Sequence, residues 1–455
     1  MGGNILSGII GIYSPNRTDT SQIAYYGLYA LQHRGQASTG IAVNNNGFVD
    51  YHKEQGLVNE VFSKDIIDRL MGNIAIGHVR YASSQQSKEK SNVEPLVVGY
   101  RKGALALSLD GSIVNAKALR DELEDKGVIF QSTLDAEVIA NLIARYHRDG
   151  LEEAIIEAID AIKGSYSIVM MNANSLIAAR DPHALRPMVL GRINNGYIIA
   201  SETCAFDTIG AEFIRDINAG EMIVIDENGV STVHEKKGKV SHCLFEFIYF
   251  ARPDSQVDYR SIYTARIEIG RQLARESPVD GDIVIGAPDS GVVSAVGYAE
   301  QSKIPYRDGL IKNRYVGRTF IEPTQGLREQ GVKIKLNVLK DNVNGKKVVL
   351  VDDSIVRGTT VKRIIDLLRN AGAKEVHVRV SSPPVRHSCY LGVDMPTNQH
   401  LMAAGKTVEE IRKELGADSL YYISLDGLRK AIGGDEGFCV GCFTGQYPVQ
   451  GEMNL

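Results

Sequence analysis

The hydrophobic pattern of this chain changes near residue 235, and the change limits the folds open to it. From residue 7 to about 235 the apolar runs are short and often alternate with polar residues, which is typical of antiparallel strands. Helical patterns such as QIAYYGLYALQ and AEVIANLIARYH lie between these runs, and Asn195-Gly196 predicts a tight hairpin. We therefore expect helices packed on antiparallel sheets in the first half.

The second half alternates strand and helix patterns, which indicates a parallel sheet. The runs DIVIGAP, KKVVLV and HVRVSS are typical of strands, and VVSAVGYAEQS is typical of a helix. An apolar stripe over residues 361–368 predicts a helix between the last two strands. We take the polar, lysine-rich stretch 234–242 as a linker. This division predicts an α+β domain over 7–235 and an α/β domain over 243–455.

Charge and hydropathy exclude several classes of protein. The formal net charge is −4 and no basic tract occurs, so we expect no nucleic-acid partner. No run of about 18 apolar residues occurs, and the first residues lack the pattern of an export signal. We therefore expect a cytoplasmic protein with no membrane segment.

The run VVLVDDSIVRGTT, residues 348–360, combines two adjacent acids with a loop that can hold an anion. The predicted helix that follows has unpaired N–H groups in its first turn, so a phosphate can bind there. Gly358 lets the backbone approach closely, and Thr359 and Thr360 add hydroxyl donors. The two acids instead suit ribose hydroxyls or a Mg²⁺ ion held through water. The run therefore predicts a sugar-phosphate site, with an ordinary surface turn as the alternative.

Two other segments carry groups that such a site would need. GAPDSGVVSA follows a predicted strand and contains glycines and Ser290, as a diphosphate-binding loop would. IKNRYVGRTFIEPTQ carries Lys312, Arg314 and Arg318 and predicts a flexible lid that closes over substrate. Cationic side chains in a lid would stabilise the charge of a departing diphosphate. A solvated charged loop is the alternative for this segment.

These segments, with EFIYFARPDS and SSPPVRHSCYLGVD, resemble the glutamine phosphoribosyl diphosphate (PRPP) amidotransferases over essentially the whole chain. The resemblance implies formation of 5-phosphoribosylamine from PRPP and glutamine with Mg²⁺, the first committed intermediate of purine synthesis. For the first domain it implies an N-terminal-nucleophile fold, the class II glutamine amidotransferase sandwich of antiparallel sheets with helices outside. For the second it implies a type I phosphoribosyltransferase domain with a parallel sheet. It also implies a homo-oligomer, specifically a tetramer, and inhibition by nucleotides.

The resemblance also implies roles for single residues. Ser290, Asp352 and Asp353 would hold Mg²⁺. Arg80 in GHVRYAS and Asp135 in TLDAEV match the family's contacts to the glutamine carboxylate and amine. The PRPP-binding positions are Asp289, Asp352, Asp353, Ser354, Arg357, Gly358, Thr359 and Thr360.

Five cysteines are too few for a disulfide scaffold, but four of them form a set. By spacing alone, a CxxC pair with two distant cysteines leaves zinc and an iron–sulfur cluster equally open, beside the simpler interpretation of reduced, buried thiols. The resemblance matches Cys243, Cys389, Cys439 and Cys442 to the ligands of a [4Fe-4S] cluster in one branch of the family. It leaves Cys204 unassigned.

The glutaminase motifs depart from the family pattern. The family's nucleophile is a cysteine made N-terminal by trimming a short propeptide, and here SGIIGI places Ser7 at that position. Where the family reads HNGN for its oxyanion hole, this chain reads LDGS, so Asp110 replaces an asparagine beside Gly111. An ionised carboxylate cannot donate a hydrogen bond to an oxyanion. A serine hydroxyl also needs stronger activation than a thiol.

The sequence therefore favours a phosphoribosyltransferase whose glutaminase is weak or absent and whose acceptor is ammonia or another amine. One alternative is a non-catalytic regulator that binds PRPP or nucleotides. The other is phosphoribosyl transfer to a different nucleophile in specialised metabolism. The acid pair and the lid cations argue against the regulator, because a sensor needs no leaving-group chemistry.

Overall fold

The chain folds into two stacked antiparallel sheets followed by a parallel sheet. The computed structural model describes residues 6–45, 47–81, 90–313, 336–434 and 436–450. The first sheet has the spatial order β11 (Glu212–Asp216), β9 (Val189–Ile193), β10 (Gly196–Ala200), β1 (Ser7–Tyr13), β4 (Ile74–Arg80), β2 (Ser38–Asn45) and β3 (Phe48–Gln55). The second has the order β13 (Gly229–Glu235), β12 (Glu221–Asp226), β8 (Leu176–Arg180), β7 (Gly164–Met171), β6 (Gly103–Ile113) and β5 (Leu96–Tyr100).

Helices cover the outer faces of these two sheets. They are α1 (Thr20–Ala30), α2 (Val58–Val61), α3 (Lys64–Arg69), α4 (Ala116–Glu124), α5 (Asp135–Tyr146), α6 (Leu151–Ala161) and α7 (Cys204–Ile209). Apolar residues of α1 and α7 pack on the first sheet, and those of α5 and α6 pack on the second. A third apolar core lies between the sheets, so the first half has four layers.

Strand β1 shows why the layers form. Its side chains alternate between two faces, and both faces are buried. Ile10 and Ile12 join the core beneath α1, whereas Ile9 joins the core between the sheets. This burial on both sides fixes Ser7, the first residue of the strand, inside the protein.

The second half contains a four-stranded parallel sheet with helices on both faces. Its order is β17 (Ile283–Gly286), β20 (Lys347–Asp352), β21 (Glu375–Val380) and β22 (Ser419–Tyr422). Its helices are α8 (Ile262–Glu276), α9 (Val292–Ser302), α10 (Lys340–Val343), α11 (Thr359–Asn370), α12 (Val408–Leu415), α13 (Leu425–Ala431) and α14 (Gly441–Thr444). Three short pairs are β14 (His242–Cys243) with β23 (Phe438–Cys439), β15 (Gln256–Val257) with β16 (Arg260–Ser261), and β18 (Leu310–Lys312) with β19 (Leu336–Val338).

The side chains of the parallel sheet explain its two covered faces. Val349 and Val351 of β20 pack with α8 and α9 on one face. Val348 and Leu350 pack with α11 and α12 on the other face. A strand buried on both faces reads as a continuous apolar run, as KKVVLV does.

The predicted fold class, an α+β sandwich followed by an α/β domain, is confirmed. The predicted hairpin at Asn195-Gly196 is present, but its loop consists of Asn194 and Asn195, because Gly196 already pairs with Ile193. Asn194 takes the positive φ that this loop needs. The division into 7–235 and 243–455 stays a prediction. Among the described residues, no helix is both long and apolar enough to span a bilayer.

Candidate functional site

The sugar-phosphate cradle predicted from the sequence lies between β20 and α11. Strand β20 ends at Asp352, and the helix begins at Thr359. Thr359 and Thr360 are exposed, and no side chain of the described residues caps the first turn, so its N–H groups are open to a ligand. An anion can therefore bind at the start of this 12-residue helix.

The backbone conformation of Gly358 is a structural reason for glycine at this position. Its φ is 77°, in the left-handed region, and a Cβ atom there would lie 2.3 Å from the side chain of Met402. The sequence predicted only the close approach of backbone to a phosphate. The left-handed conformation of the loop requires glycine as well, whereas the flexible end of the Met402 side chain could move aside.

Asp352 and Asp353 form a buried acid pair at the edge of the cradle. Asp353 accepts hydrogen bonds from the hydroxyls of Ser290 and Ser354, the latter at 2.6 Å, and its N–H donates to Asp352 Oδ1 at 3.0 Å. Burial raises the pKa of both carboxyls, and the charge of Asp353 raises that of Asp352 further. Two buried acids in contact favour a bound cation or hydroxyl donors.

The remaining predicted phosphoribosyl-site residues have different surroundings. Arg357 is exposed in the cradle loop. Asp289 and Lys312 are ion-paired with one another, and both side chains are largely solvent-exposed. The other two predicted lid cations, Arg314 and Arg318, lie outside the described residues.

Ser7, the predicted nucleophile position, is enclosed at the start of β1. Its N–H donates to Asp110 Oδ1 at 3.0 Å, and its carbonyl accepts from Arg34 Nε at 2.8 Å. Its hydroxyl is buried and has no hydrogen-bond partner among the described residues. Asp110 lies in β6 beside Gly111, whose φ of 138° and contact with the Ser165 carbonyl exclude a side chain.

Arg34 is the centre of a buried ionic network around Ser7. Its guanidinium is fully buried and pairs with Asp110 at 3.2 Å, Glu202 at 2.7 Å and Glu246 at 2.8 Å. Burial would lower the pKa of Arg34, but the three carboxylates hold it well above its usual value. Arg186 adds a second guanidinium, 3.3 Å from Glu246. We call these five residues the Arg34 network.

Burial also raises the pKa of Asp110, while Arg34 and Arg186 oppose that effect. Asp110 accepts the Ser7 N–H on one oxygen and the Arg34 guanidinium on the other. Both contacts suit the carboxylate form. Sequence reasoning assigned no role to Arg34, Glu202 or Glu246. In the sequence, Arg34 lies in the run HRGQ, residues 33–36, and Glu246 begins the run EFIYFARPDS.

The predicted glutamine-pocket residues Arg80 and Asp135 lie on separate elements and act on each other electrostatically. Arg80 ends β4, and its guanidinium donates to the Asn92 carbonyl. Asp135 begins α5 and accepts the Ile113 N–H at 2.9 Å, and burial raises its pKa to about 6.

Sequence reasoning missed a further acid in this pocket. Glu94 is buried and accepts the Leu109 N–H at 3.0 Å, beside His78 at 3.5 Å. Burial raises the pKa of Glu94 to about 7, although Arg80 opposes the shift. Burial therefore raises the pKa of two carboxyls, Asp135 and Glu94, that act electrostatically on Arg80.

The four predicted cluster cysteines come together from distant parts of the chain. Cys243 and Cys439 pair across β14 and β23, and Cys442 follows in α14. Cys389 is buried in a small apolar cluster against which Cys243 and Cys439 pack. Burial raises the pKa of Cys442, and the charges of the other three cysteines raise it further. Cys204 lies elsewhere, 3.8 Å from Glu202. Among the described residues, no group of three or more His, Cys, Asp or Glu side chains is placed to hold a metal ion.

Two protein families match the chain in succession. A glutamine amidotransferase domain matches residues 78–208, and a phosphoribosyl transferase domain matches residues 259–394. The fold and the two sites therefore define a protein of the two-domain class that joins these modules.

Full-length relatives identify the family. The chain is 46% identical to the amidophosphoribosyltransferase of Bacillus subtilis (strain 168), over 97% of this chain and 94% of that protein. It is 47% identical to the amidophosphoribosyltransferase of Archaeoglobus fulgidus, over 98% of each. The chain belongs to the amidophosphoribosyltransferase family and is accordingly a phosphoribosyltransferase, a type of glycosyltransferase.

Solved structures agree with this assignment. The structure of an allosteric regulatory enzyme of purine biosynthesis matches with a TM-score of 0.94 and 46% identity, over 98% of this chain and 97% of that chain. The B. subtilis glutamine PRPP amidotransferase complexed with ADP and GMP matches with a TM-score of 0.92 and 46% identity, over 98% of each chain. The similarity therefore extends over both halves of the chain.

Replacing Arg34 by methionine should destabilise the protein strongly. Asp110, Glu202 and Glu246 would then be buried without their shared cation, which typically costs about 3–5 kcal/mol. The midpoint of urea unfolding measures the loss. Arg17→Met, which breaks an exposed pair with Asp19, should cost at most about 1 kcal/mol. Equal losses in the two variants would contradict the role of the Arg34 network.

Replacing Glu94 by glutamine should stabilise the protein at high pH. In wild type the unfolded chain releases this proton near pH 4.5, whereas the folded chain retains it to about pH 7. Folding stability is therefore lost as pH rises between those values, and glutamine avoids the loss. The variant's free energy of unfolding should therefore exceed that of wild type by an amount that grows between about pH 5 and pH 8. The control is Glu157→Gln on the exposed face of α6, for which we expect a difference from wild type that does not change with pH. The same constant difference in Glu94→Gln would contradict the raised pKa of Glu94.

Proposed function

We propose that this protein transfers the 5-phosphoribosyl group of PRPP to ammonia or another amine, and that its glutaminase is weak or absent. The observation that carries the proposal is the Asp110 carboxylate 3.0 Å from the Ser7 nitrogen and ion-paired to Arg34. The phosphoribosyl cradle keeps its acid pair and open helix N-terminus, whereas the glutaminase position contains an acid where a neutral donor is needed.

In the proposed reaction the cradle binds and orients PRPP. The N–H groups of residues 354–360 and the hydroxyls of Thr359 and Thr360 would hold the 5′-phosphate. Asp352 and Asp353 would face the ribose hydroxyls and, with Ser290, hold Mg²⁺. Their buried oxygens fit a hard cation, since Mg²⁺ usually takes one or two protein carboxylates and completes its shell with water and substrate.

The phosphoribosyl step needs charge stabilisation and exclusion of water. As the bond from the anomeric carbon to diphosphate breaks, positive charge develops on the ribose and negative charge on the leaving group. Mg²⁺ would neutralise diphosphate charge when bound. We assign the cations of the lid segment, Lys312, Arg314 and Arg318, to the same task. Ammonia or an amine then adds to the anomeric carbon and loses a proton.

Asp110 opposes glutamine hydrolysis in two ways. As a carboxylate it cannot donate to the tetrahedral oxyanion, and loss of one such donor typically costs about a hundred- to a thousandfold in rate. If Ser7 were N-terminal, its α-amine would have to accept the hydroxyl proton as a free base. A carboxylate at hydrogen-bond distance stabilises the ammonium form instead and so raises the pKa of that amine.

The predicted glutamine-pocket residues give the first half of the chain a second role, as a binding site for an amino acid. Arg80 and Asp135 could still hold the carboxylate and amine of an amino acid, although nothing would be hydrolysed. ADP and GMP are bound to the similar B. subtilis enzyme, which supports nucleotide inhibition at the cradle. The regulator without catalysis is not favoured, because the chain belongs to a family of enzymes.

We assign Cys243, Cys389, Cys439 and Cys442 to a [4Fe-4S] cluster. Support comes from the pairing of Cys243 with Cys439 across two strands and from their packing against the same apolar cluster as Cys389. Four cysteine thiolates are the usual ligands of such a cluster. Its role would be structural or oxygen-sensing, because phosphoribosyl transfer moves no electrons. Iron, sulfide and visible absorbance in anaerobically prepared protein would support the cluster, and stoichiometric zinc would overturn it. The tetramer and the cytoplasmic location are proposals of the same kind.

The first test of the function supplies PRPP and Mg²⁺ with glutamine, with ammonium or with a panel of amines, and measures diphosphate. Release with ammonium and less than about 1% of that rate with glutamine is the expected result. Asp110→Asn, which restores a neutral side chain, should raise the glutamine-dependent rate. It should not raise the ammonium-dependent rate. Equal wild-type rates with glutamine and ammonium would refute the silent glutaminase.

The second test removes the acid pair. Asp352→Asn and Asp353→Asn should each lower ammonium-dependent kcat/KM for PRPP at least about a hundredfold, because each change removes charge that holds Mg²⁺ and ribose. Asp366→Asn, an exposed position on α11, is the matched control and should behave as wild type. Activity retained in both acid-pair variants would contradict their role.

A further inference from the structure

An open cavity of about 360 Å³ lies in the second half of the chain. It is formed by Val408 and by parts of the segments 383–386, 421–425 and 443–444, and we call it the Tyr422 cavity. Proline, aromatic and aliphatic side chains make up most of its lining. None of its lining residues belongs to the cradle or to the acid pair, so it is a different site. Its size and its largely apolar lining are typical of sites for small ligands.

The Tyr422 cavity lies at the carboxyl edge of the parallel sheet. Strand β21 ends at Val380 and β22 ends at Tyr422, and the lining segments 383–386 and 421–425 lie at these two ends. The Ile423 N–H donates to the Val380 carbonyl at 2.9 Å, so the two strand ends are side by side. Ligands of parallel sheets bind beyond this edge.

The hydroxyl of Tyr422 is a polar group of this cavity that lacks a partner. Tyr422 is 6% exposed, and its Oη atom is buried without a hydrogen bond to any described residue. Buried hydroxyls are nearly always hydrogen-bonded, because an unpaired one has lost its contacts with water. Burial raises the pKa of Tyr422, although the charge of Arg386 opposes the rise, so the group remains a hydrogen-bond donor at neutral pH. A ligand that accepts from Oη would satisfy it.

Arg386 supplies the only charge in the described lining of the Tyr422 cavity. Its side chain is exposed and forms no ion pair within the described part of the chain. The nearby acid Glu276 is already held by the lining residue Ser424, whose N–H and hydroxyl each donate to it at 2.8 Å. The cavity therefore presents one unpaired cation and one unpaired hydroxyl donor among apolar side chains.

We propose that the Tyr422 cavity binds a small organic acid that carries one carboxylate on an apolar, ring-containing body. The carboxylate would accept from the Arg386 guanidinium, which can donate two parallel hydrogen bonds to it, and from the Tyr422 hydroxyl. The body would pack against Pro384, Tyr421 and Phe443. One cation in the lining balances one negative charge, which favours a carboxylate over a phosphate dianion. The inference goes beyond the proposed function and does not depend on it.

The experiment measures binding of phenylacetate to the full-length protein by ligand-observed NMR titration. Phenylacetamide has the same shape without the charge, and acetate has the charge without the ring. The variants are Arg386→Gln and Tyr422→Phe, with Arg101→Gln as the matched control because Arg101 is exposed in the turn that follows β5. Circular dichroism and the midpoint of urea unfolding report the fold of each variant.

We expect phenylacetate to bind with a dissociation constant below about 1 mM, and both phenylacetamide and acetate at least about tenfold more weakly. Arg386→Gln should weaken phenylacetate binding at least about tenfold, because the charged donor is lost. Tyr422→Phe should weaken it about threefold or more. It should not lower the unfolding midpoint, because the hydroxyl has no hydrogen bond to lose. Arg101→Gln should match wild type in both measurements.

Absence of phenylacetate binding up to about 10 mM would overturn the inference. Wild-type affinity in Arg386→Gln would also overturn it, because the acid would then bind elsewhere, for example at Arg80. Phenylacetamide that binds as tightly as phenylacetate would refute the carboxylate, and acetate that does so would refute the apolar body. Wild-type affinity in Tyr422→Phe would refute the role of the hydroxyl. Diphosphate release tests the proposed function separately, so either result can fail without the other.

Discussion

The pairing of the Arg34 guanidinium with three carboxylates is the contact on which the rest of this structure depends. Asp110 lies in a strand of the second sheet, and Glu202 lies in the segment before α7. Glu246 begins a π-helical turn, Glu246–Phe250, in the second half of the chain. Buried ionic groups of this kind are stable only when every member has its partners. The network therefore joins the antiparallel sandwich to the second half of the chain at a buried point.

The same network explains how the two sites can differ in competence. Asp110 gives one oxygen to the backbone of Ser7 and the other to Arg34, so it stabilises the sandwich at the position where a glutaminase needs a neutral donor. In the cradle, the contacts that hold the acid pair do not oppose its proposed role. Asp353 is held by two serine hydroxyls, and the first turn of α11 stays open to a phosphate.

Local patterns predicted the fold well because strand alternation and βα order are local properties. The cradle was also predictable, since residues 348–360 are contiguous. The Arg34 network was not, because its partners lie 76, 168 and 212 residues away in sequence. The hairpin loop was placed one residue late, because strand pairing extends to Gly196 and leaves the turn to Asn194 and Asn195.

The most direct test of the account is a crystal structure of the protein soaked with PRPP and Mg²⁺ at saturating concentration. The account predicts a 5′-phosphate on the N–H groups of residues 354–360 and ribose hydroxyls facing Asp352 and Asp353. A cradle without ligand under those conditions would contradict the central claim that this crevice binds the sugar phosphate.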